Sequence, residues 1–195
     1  GGNVPGNYNP VATECFQEGM LIPPVKLFSK GELRTDVVDI VTANSGSANF
    51  SYLRGNGNGT FAATANTAAG AGAHGVGVAD FNKDGNLDLV VSNNTANSVF
   101  YYAGNGNGTF AGSVNVGGVL LGPQGITTGD INGDGNPDFV AANDSGANWV
   151  SIYLGNGSGG FATSAIVTVS NSRKAVLADF NGDGRLDLAT AGQGG

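Results

Sequence analysis

The chain has 195 residues, 35 of them glycine, with 12% charged residues and a net charge of −7. That length suits a single domain, and so much glycine with so few charges leaves little room for helices. The only adjacent basic pair is Arg173-Lys174, and no apolar run approaches the ~20 residues of a membrane span, which argues against a nucleic-acid binder and a helical membrane anchor. The single Cys15 excludes an internal disulfide. No signal peptide is visible, so an extracellular location would require one upstream of Gly1.

Residues 1–35 carry no repeat marker and read as an irregular segment. Cys15, in Thr-Glu-Cys-Phe, has no activating base nearby, and Glu14 and Glu18 read as a solvated face. The stretches Gly1-Gly-Asn-Val-Pro-Gly and Phe16-Gln-Glu-Gly-Met-Leu-Ile-Pro-Pro-Val-Lys-Leu-Phe28 resemble a segment of the hydantoinase B/oxoprolinase family. The resemblance continues through Gly31-Glu-Leu33 and Ala43-Asn44. That family's metal-binding residues lie largely upstream of such a segment, so no catalytic residue is carried over.

Residues 36–195 are repetitive. Gly55-Asn-Gly-Asn-Gly-Thr-Phe61, Gly104-Asn-Gly-Asn-Gly-Thr-Phe110 and Gly155-Asn-Gly-Ser-Gly-Gly-Phe161 mark a beat of about 50 residues. Asn-rich turns keep the same phase at Asn44, Asn93 and Asn143. One unit reads as a strand at Gly75–Asp80, a loop, strands at Leu87–Ser92 and Ser98–Ala103, a Gly-Asn-Gly turn, and a fourth strand from about Phe110 to Val116. Four short antiparallel strands per unit make a β-propeller blade. The expected units are a degenerate first blade at 36–74, blades at 75–125 and 126–173, and an incomplete one at 174–195. The fold class is therefore all-β, a partial propeller whose closure needs further blades or partner chains.

The loop between first and second strands is the chemical motif. Asp80-Phe-Asn82-Lys-Asp84-Gly85-Asn86-Leu-Asp88 recurs as Asp130-Ile-Asn132-Gly-Asp134-Gly135-Asn136-Pro-Asp138 and as Asp179-Phe-Asn181-Gly-Asp183-Gly184-Arg185-Leu-Asp187. Oxygen-bearing side chains stand at positions one, three, five and nine, with glycine at six for the turn. Position seven varies (Asn86, Asn136, Arg185), as expected if its carbonyl is the ligand. With no Cys or His, the set suits calcium. Nine of the 15 acidic residues lie in these loops, and three ions at +2 would bring the charge from −7 to −1. An EF-hand would need Glu at position twelve, where Val91, Ala141 and Thr190 stand. A dockerin would need helices after its loops. The first blade has no such loop: counting back from Asp88 gives Asp39, but Gly31, Leu33 and Thr35 fall where the other ligands would be.

The loop phrases, the period and the Gly-Asn-Gly turn together resemble FG-GAP repeats, the calcium-binding propeller blades of integrin α-subunits and many secreted bacterial proteins. The resemblance implies about three Ca²⁺ ions, held by Asp80, Asn82, Asp84, Asn86 and Asp88 and by their equivalents in the other loops. It also implies a non-catalytic scaffold or adhesion module, extracellular or at the cell surface, with a protein or carbohydrate ligand. A lectin-like carbohydrate binder and a fragment of a hydantoinase/oxoprolinase-type amidohydrolase are the alternatives. The two family resemblances overlap between about Asp36 and Asn44, which reads as a junction of two unrelated coding sequences.

Other features have plainer readings. The Gly-Asn-Gly stretches lack a P-loop Lys and lead into strands, so they are hairpin turns. His74 has no identifiable nucleophile partner. Tyr52, Tyr101, Tyr102, Trp149 and Tyr153 fall in third strands, where packing between blades is expected before sugar stacking. Six Asn-x-Ser/Thr sequons, beginning at Asn49, Asn58, Asn93, Asn107, Asn143 and Asn156, arise from the turn composition.

Overall fold

The computed structural model describes residues 20–21, 28–29, 32–33, 39–144, 146, 149–169 and 172–192. Cys15, Glu14 and Glu18 lie outside them. The described residues form strands and turns, with no helix long and apolar enough to cross a membrane. The strands are β1 (Met20–Leu21), β2 (Phe28–Ser29), β3 (Glu32–Leu33), β4 (Ile40–Asn44), β5 (Asn49–Leu53), β6 (Ala65–Ala68), β7 (Ala73–Ala79) and β8 (Asp88–Asn93). They continue as β9 (Ser98–Tyr102), β10 (Val114–Asn115), β11 (Pro123–Gly129), β12 (Asp138–Asn143), β13 (Trp149–Gly155), β14 (Phe161–Thr168), β15 (Ser172–Ala178) and β16 (Asp187–Gly192).

They assemble into three four-stranded antiparallel sheets, β1-β4-β5-β6, β7-β8-β9-β10 and β11-β12-β13-β14. Two two-stranded sheets, β15-β16 and β2-β3, complete the described set, and no sheet closes on itself. This is the expected all-β, partial-propeller architecture. The N-terminal segment read as irregular contributes three two-residue strands, one of which, β1, pairs with β4 as Met20↔Thr42 and Leu21↔Val41. In the first blade, Met20–Leu21 thus stands where β7 and β11 stand in the next two.

Alternation explains the packing. β8 and β12 are buried along their whole length, because each lies between two neighbouring blades. Leu89 and Val91 pack toward the first blade, with Val41, Phe50 and Tyr102. Val90 points the other way, with Phe81, Phe139, Ala141 and Tyr153. In β12, Phe139 and Ala141 face backward and Val140 and Ala142 forward, onto Ala175, Leu177 and Leu188. The core is therefore a set of inter-blade layers, each buried aliphatic or aromatic side chain contributing about 1.5–3 kcal/mol. Aromatic rings seal the second layer: Phe81 lies 5.2 Å from Phe161, and Phe139 stacks on Tyr153 at 4.5 Å.

One detail differs from the sequence reading. The expected fourth strand at Phe110–Val116 shrinks to Val114–Asn115, with only an isolated bridge between Gly104 and Phe110 before it. Ala111-Gly-Ser113 is poor in strand formers, whereas the equivalent Phe161–Thr168 is rich in Thr, Ile and Val and runs eight residues. Tyr101, Tyr102 and Tyr153 are buried between blades, which leaves those rings no open face for a sugar.

Candidate metal centre

Each of the three loops folds on a nest of backbone N–H groups around its first aspartate. Asp80 accepts from the N–H of Asp84 (3.1 Å) and of Gly85 (2.9 Å). Asp130 accepts from Gly133, Asp134 and Gly135, at 2.8, 3.1 and 2.9 Å. Asp179 does the same with Gly182, Asp183 and Gly184, at 2.6, 3.1 and 2.8 Å. Position three caps position five: Asn82, Asn132 and Asn181 accept from Asp84, Asp134 and Asp183 N–H at 2.9, 3.0 and 2.9 Å. Position five accepts from position seven, Asn86, Asn136 or Arg185, at 2.8, 2.7 and 2.9 Å.

The winding needs left-handed backbone at positions four and six. Gly85, Gly135 and Gly184 have φ of 89°, 81° and 83°. At position four Gly133 and Gly182 are also left-handed, and Lys83 stands there at φ 59°. No atom crowds the site of a Cβ at Gly85 or Gly135, so the requirement is conformational.

Position nine behaves differently. Asp88 is buried, and both its oxygens are met by protein. Oδ1 accepts from Gly104 N–H (2.8 Å); Oδ2 accepts from the Tyr101 hydroxyl (3.0 Å) and from Phe81 and Asn82 N–H (3.0 and 3.2 Å). Asp138, also buried, accepts from Gly155 N–H (2.8 Å) through Oδ1 and from Ile131 N–H (2.8 Å) through Oδ2. Asp187 accepts from Phe180 N–H at 3.0 Å.

The electrostatics divide along the same line. The Asn86 N–H and the Asn82 amide hold Asp84 below the usual carboxylate range, and Asn136 N–H followed by the Asn132 amide does so for Asp134. Gly184 N–H is the main cause of the lowered value at Asp179. Burial pushes Asp88 and Asp138 upward, against the opposing N–H bonds from Gly104 and Gly155. Positions one, three and five present the all-oxygen donors that a hard cation takes. Among the described residues, no three Asp, Glu, His or Cys side chains converge as a metal-holding group.

Sequence reasoning missed the residues beneath the loops. Gly104 and Gly155 cannot carry a Cβ, which would lie 2.0 Å from Leu87 O and 2.1 Å from Pro137 O. The turn thereby presses onto the residue before position nine and delivers its N–H to Asp88 or Asp138. Tyr101 and Tyr52 are the other omissions. The sequence did hold a signal: Asp39 to Gly55 and Asp88 to Gly104 share one spacing, with Tyr three residues before each Gly. His74 keeps an exposed face, and partial burial of its ring, then the Arg173 charge, lower its pKa against the opposing Asp144.

The description of FG-GAP-like repeats matches residues 80–141 and 130–190, which together span more than half of the chain. The chain belongs to the FG-GAP-like repeat family. Both FG-GAP matches begin at the first aspartate of a loop, Asp80 or Asp130. The hydantoinase B/oxoprolinase family matches residues 1–76. A caprolactamase subunit beta from Pseudomonas jessenii is 50% identical over 44 residues, 23% of this chain and 8% of that protein. Among solved structures, the V. cholerae biofilm matrix protein Bap1 aligns with a TM-score of 0.50 at 18% identity, over 95% of this chain and 30% of that one. That likeness is one of fold. The FG-GAP chain thus spans under a third of the solved structure it resembles and a small part of the curated relative.

Proposed function

We propose that the chain is a calcium-binding, non-catalytic FG-GAP module that serves as a scaffold or adhesion domain of a secreted or cell-surface protein. The observation that supports this best is the threefold recurrence of one loop, with the same oxygens at positions one, three and five and the same N–H nest. Asp80, Asn82, Asp84, the Asn86 carbonyl and Asp88 would hold one ion. Asp130, Asn132, Asp134, the Asn136 carbonyl and Asp138 would hold a second, and Asp179, Asn181, Asp183, the Arg185 carbonyl and Asp187 a third. A bound cation supplies charge neutralisation to each loop and stabilises the folded chain as its concentration exceeds Kd. Further blades or partner chains would cover the outer sheet at β15–β16, where Val176 and Phe180 are exposed. Calorimetric titration of the full chain with calcium is the test. About three ions should bind, and none should bind to the Asp84→Ala/Asp134→Ala/Asp183→Ala triple variant; three ions in that variant would refute the assignment.

A second reading concerns the N-terminal stretch, and the match over residues 1–76 favours it. We propose that this stretch descends from a hydantoinase/oxoprolinase-type amidohydrolase sequence joined to the repeats. Many independent reads crossing codons 31–48 of the source DNA without a break would contradict the junction.

A further inference from the structure

The first strands β7, β11 and β15 lie side by side along the axis of the partial propeller, and each carries a bulge near its start. The bulges fall at His74-Gly75, Gln124-Gly125 and Arg173-Lys174, the end of each strand away from its cation loop. His74, Gln124 and Arg173 are equivalents, each six residues before the first aspartate of its loop (80, 130 and 179). Bulges re-aim side chains. Here they gather a polar group at one mouth of the axis. Asp144, just past β12, accepts from the Gln124 amide and pairs with Arg173 Nε at 3.1 Å. His74 stands near enough for the charges of Arg173, Asp144 and Lys174 all to act on its ring.

A second observation sets the fourth unit apart. A Cβ on Gly75 would lie 2.1 Å from Gln124 O, and one on Gly125 would lie 2.7 Å from Arg173 O. At this level each glycine therefore admits the backbone of the next first strand. Lys174 holds the same place in β15. Its Cβ bars an equally close approach, so whatever covers β15 stands off here and the basic pair keeps an open side. Arg173 is 46% exposed, and among the described residues its terminal guanidinium nitrogens meet no acceptor. Asp144 takes Nε and leaves that end of the fork, which can hold two oxygens of one anion in parallel bonds.

We infer that this axial mouth is an oxyanion-binding site, taking a carboxylate or a sulfate group. Arg173 and Lys174 supply the charge. Asp144 and Gln124 position the guanidinium, and His74 borders the site from the second blade. The site lies at the opposite end of the strands from the cation loops and does not depend on the calcium reading.

His74 is the single histidine of the chain, so its ring Cε1–H signal in proton–carbon NMR reports on this mouth alone. The full chain, at fixed pH, ionic strength and calcium concentration, is titrated with glucuronate, with sulfate and with neutral glucose. The signal should shift saturably with glucuronate or sulfate and stay in place with glucose. Glucuronate alone would mark a carboxylate site and sulfate alone a sulfate site. Arg173→Gln should weaken the binding about tenfold or more, and Lys174→Gln about two- to threefold. If Arg173→Gln does not fold without its Asp144 pair, Arg173→Lys takes its place; it keeps the charge and loses the fork, and should also bind more weakly. A shift that stays linear in concentration for both anions would overturn the site. So would anion binding that Arg173→Gln (or its Lys replacement) leaves at wild-type affinity, or glucose binding as tight as glucuronate.

Discussion

The first and second blades pose a natural experiment in what a cation loop adds to a propeller blade. Both present the same end to their neighbours: aspartate, tyrosine and the glycine N–H, with bonds of 2.7–2.8 Å around Asp39 and 2.8–3.0 Å at the equivalent bonds of Asp88. By sequence only the second carries the loop phrase, and there Asp80 gathers its N–H nest and Lys83 and Gly85 take left-handed turns. The first blade holds its sheet and its inter-blade layer without the loop, packing Val41 and Phe50 against Val76, Leu89 and Tyr102. The lesson is that the blade frame and the cation loop are separable layers. The frame is built from buried carboxylates and rings, and the loop is wound on top of it from exposed ones.

The largest expected effect comes from a side chain that joins the two layers. Phe81, at position two of the first loop, is 1% exposed beneath Tyr101, Phe139 and Phe161, whereas Phe180, at position two of the third, is 61% exposed. Phe81→Ala should cost about 3–5 kcal/mol and Phe180→Ala less than about 0.5 kcal/mol, read from urea unfolding midpoints. Equal costs would mean that the loop anchor is not the inter-blade layer. A smaller effect is expected at Gly104, where a methyl would collide with Leu87 O. Gly104→Ala should destabilise the chain by about 2–3 kcal/mol in calcium and in chelator alike. A cost seen only in calcium would tie the turn to the ion and dissolve the separation.

The smallest effect is a titration. Burial, followed by the bond to Asp39, raises the Tyr52 phenol to about 12 from its ordinary 10.0. The folded phenol keeps its proton where the unfolded one loses it, so this contribution to stability falls as pH climbs from about 10 through about 12. In Asp39→Asn the hydroxyl loses its carboxylate partner and should ionise at lower pH. The ultraviolet difference against Tyr52→Phe isolates its signal, and an unshifted titration would contradict the Tyr52–Asp39 bond.

Much of this arrangement could be read in the sequence. Position six demanded left-handed backbone, so the glycines at 85, 135 and 184 announced the loop. The 50-residue beat announced the blades. What escaped was the burial of one of three like residues. Asp80, Asp84 and Asp88 are equally spaced acids in a string, and spacing does not tell them apart. Burial does, because Asp88 begins a strand covered on both sides while Asp84 sits on an exposed turn. The short fourth strand of the second blade escaped for another reason: Phe110 marks where pairing begins, and Ala111-Gly-Ser113 decides how little of it continues.

Amide hydrogen exchange on the full chain, in calcium and in chelator, reads both layers at once. The account predicts that Gly55 and Gly104, whose N–H groups are held by Asp39 and Asp88, stay protected in chelator, and that Asp84 and Gly85 gain protection only when calcium is added. Gly104 exchanging in chelator as fast as Gly85, and slowing with it as calcium is added, would show that loop and frame are one layer and would contradict the account.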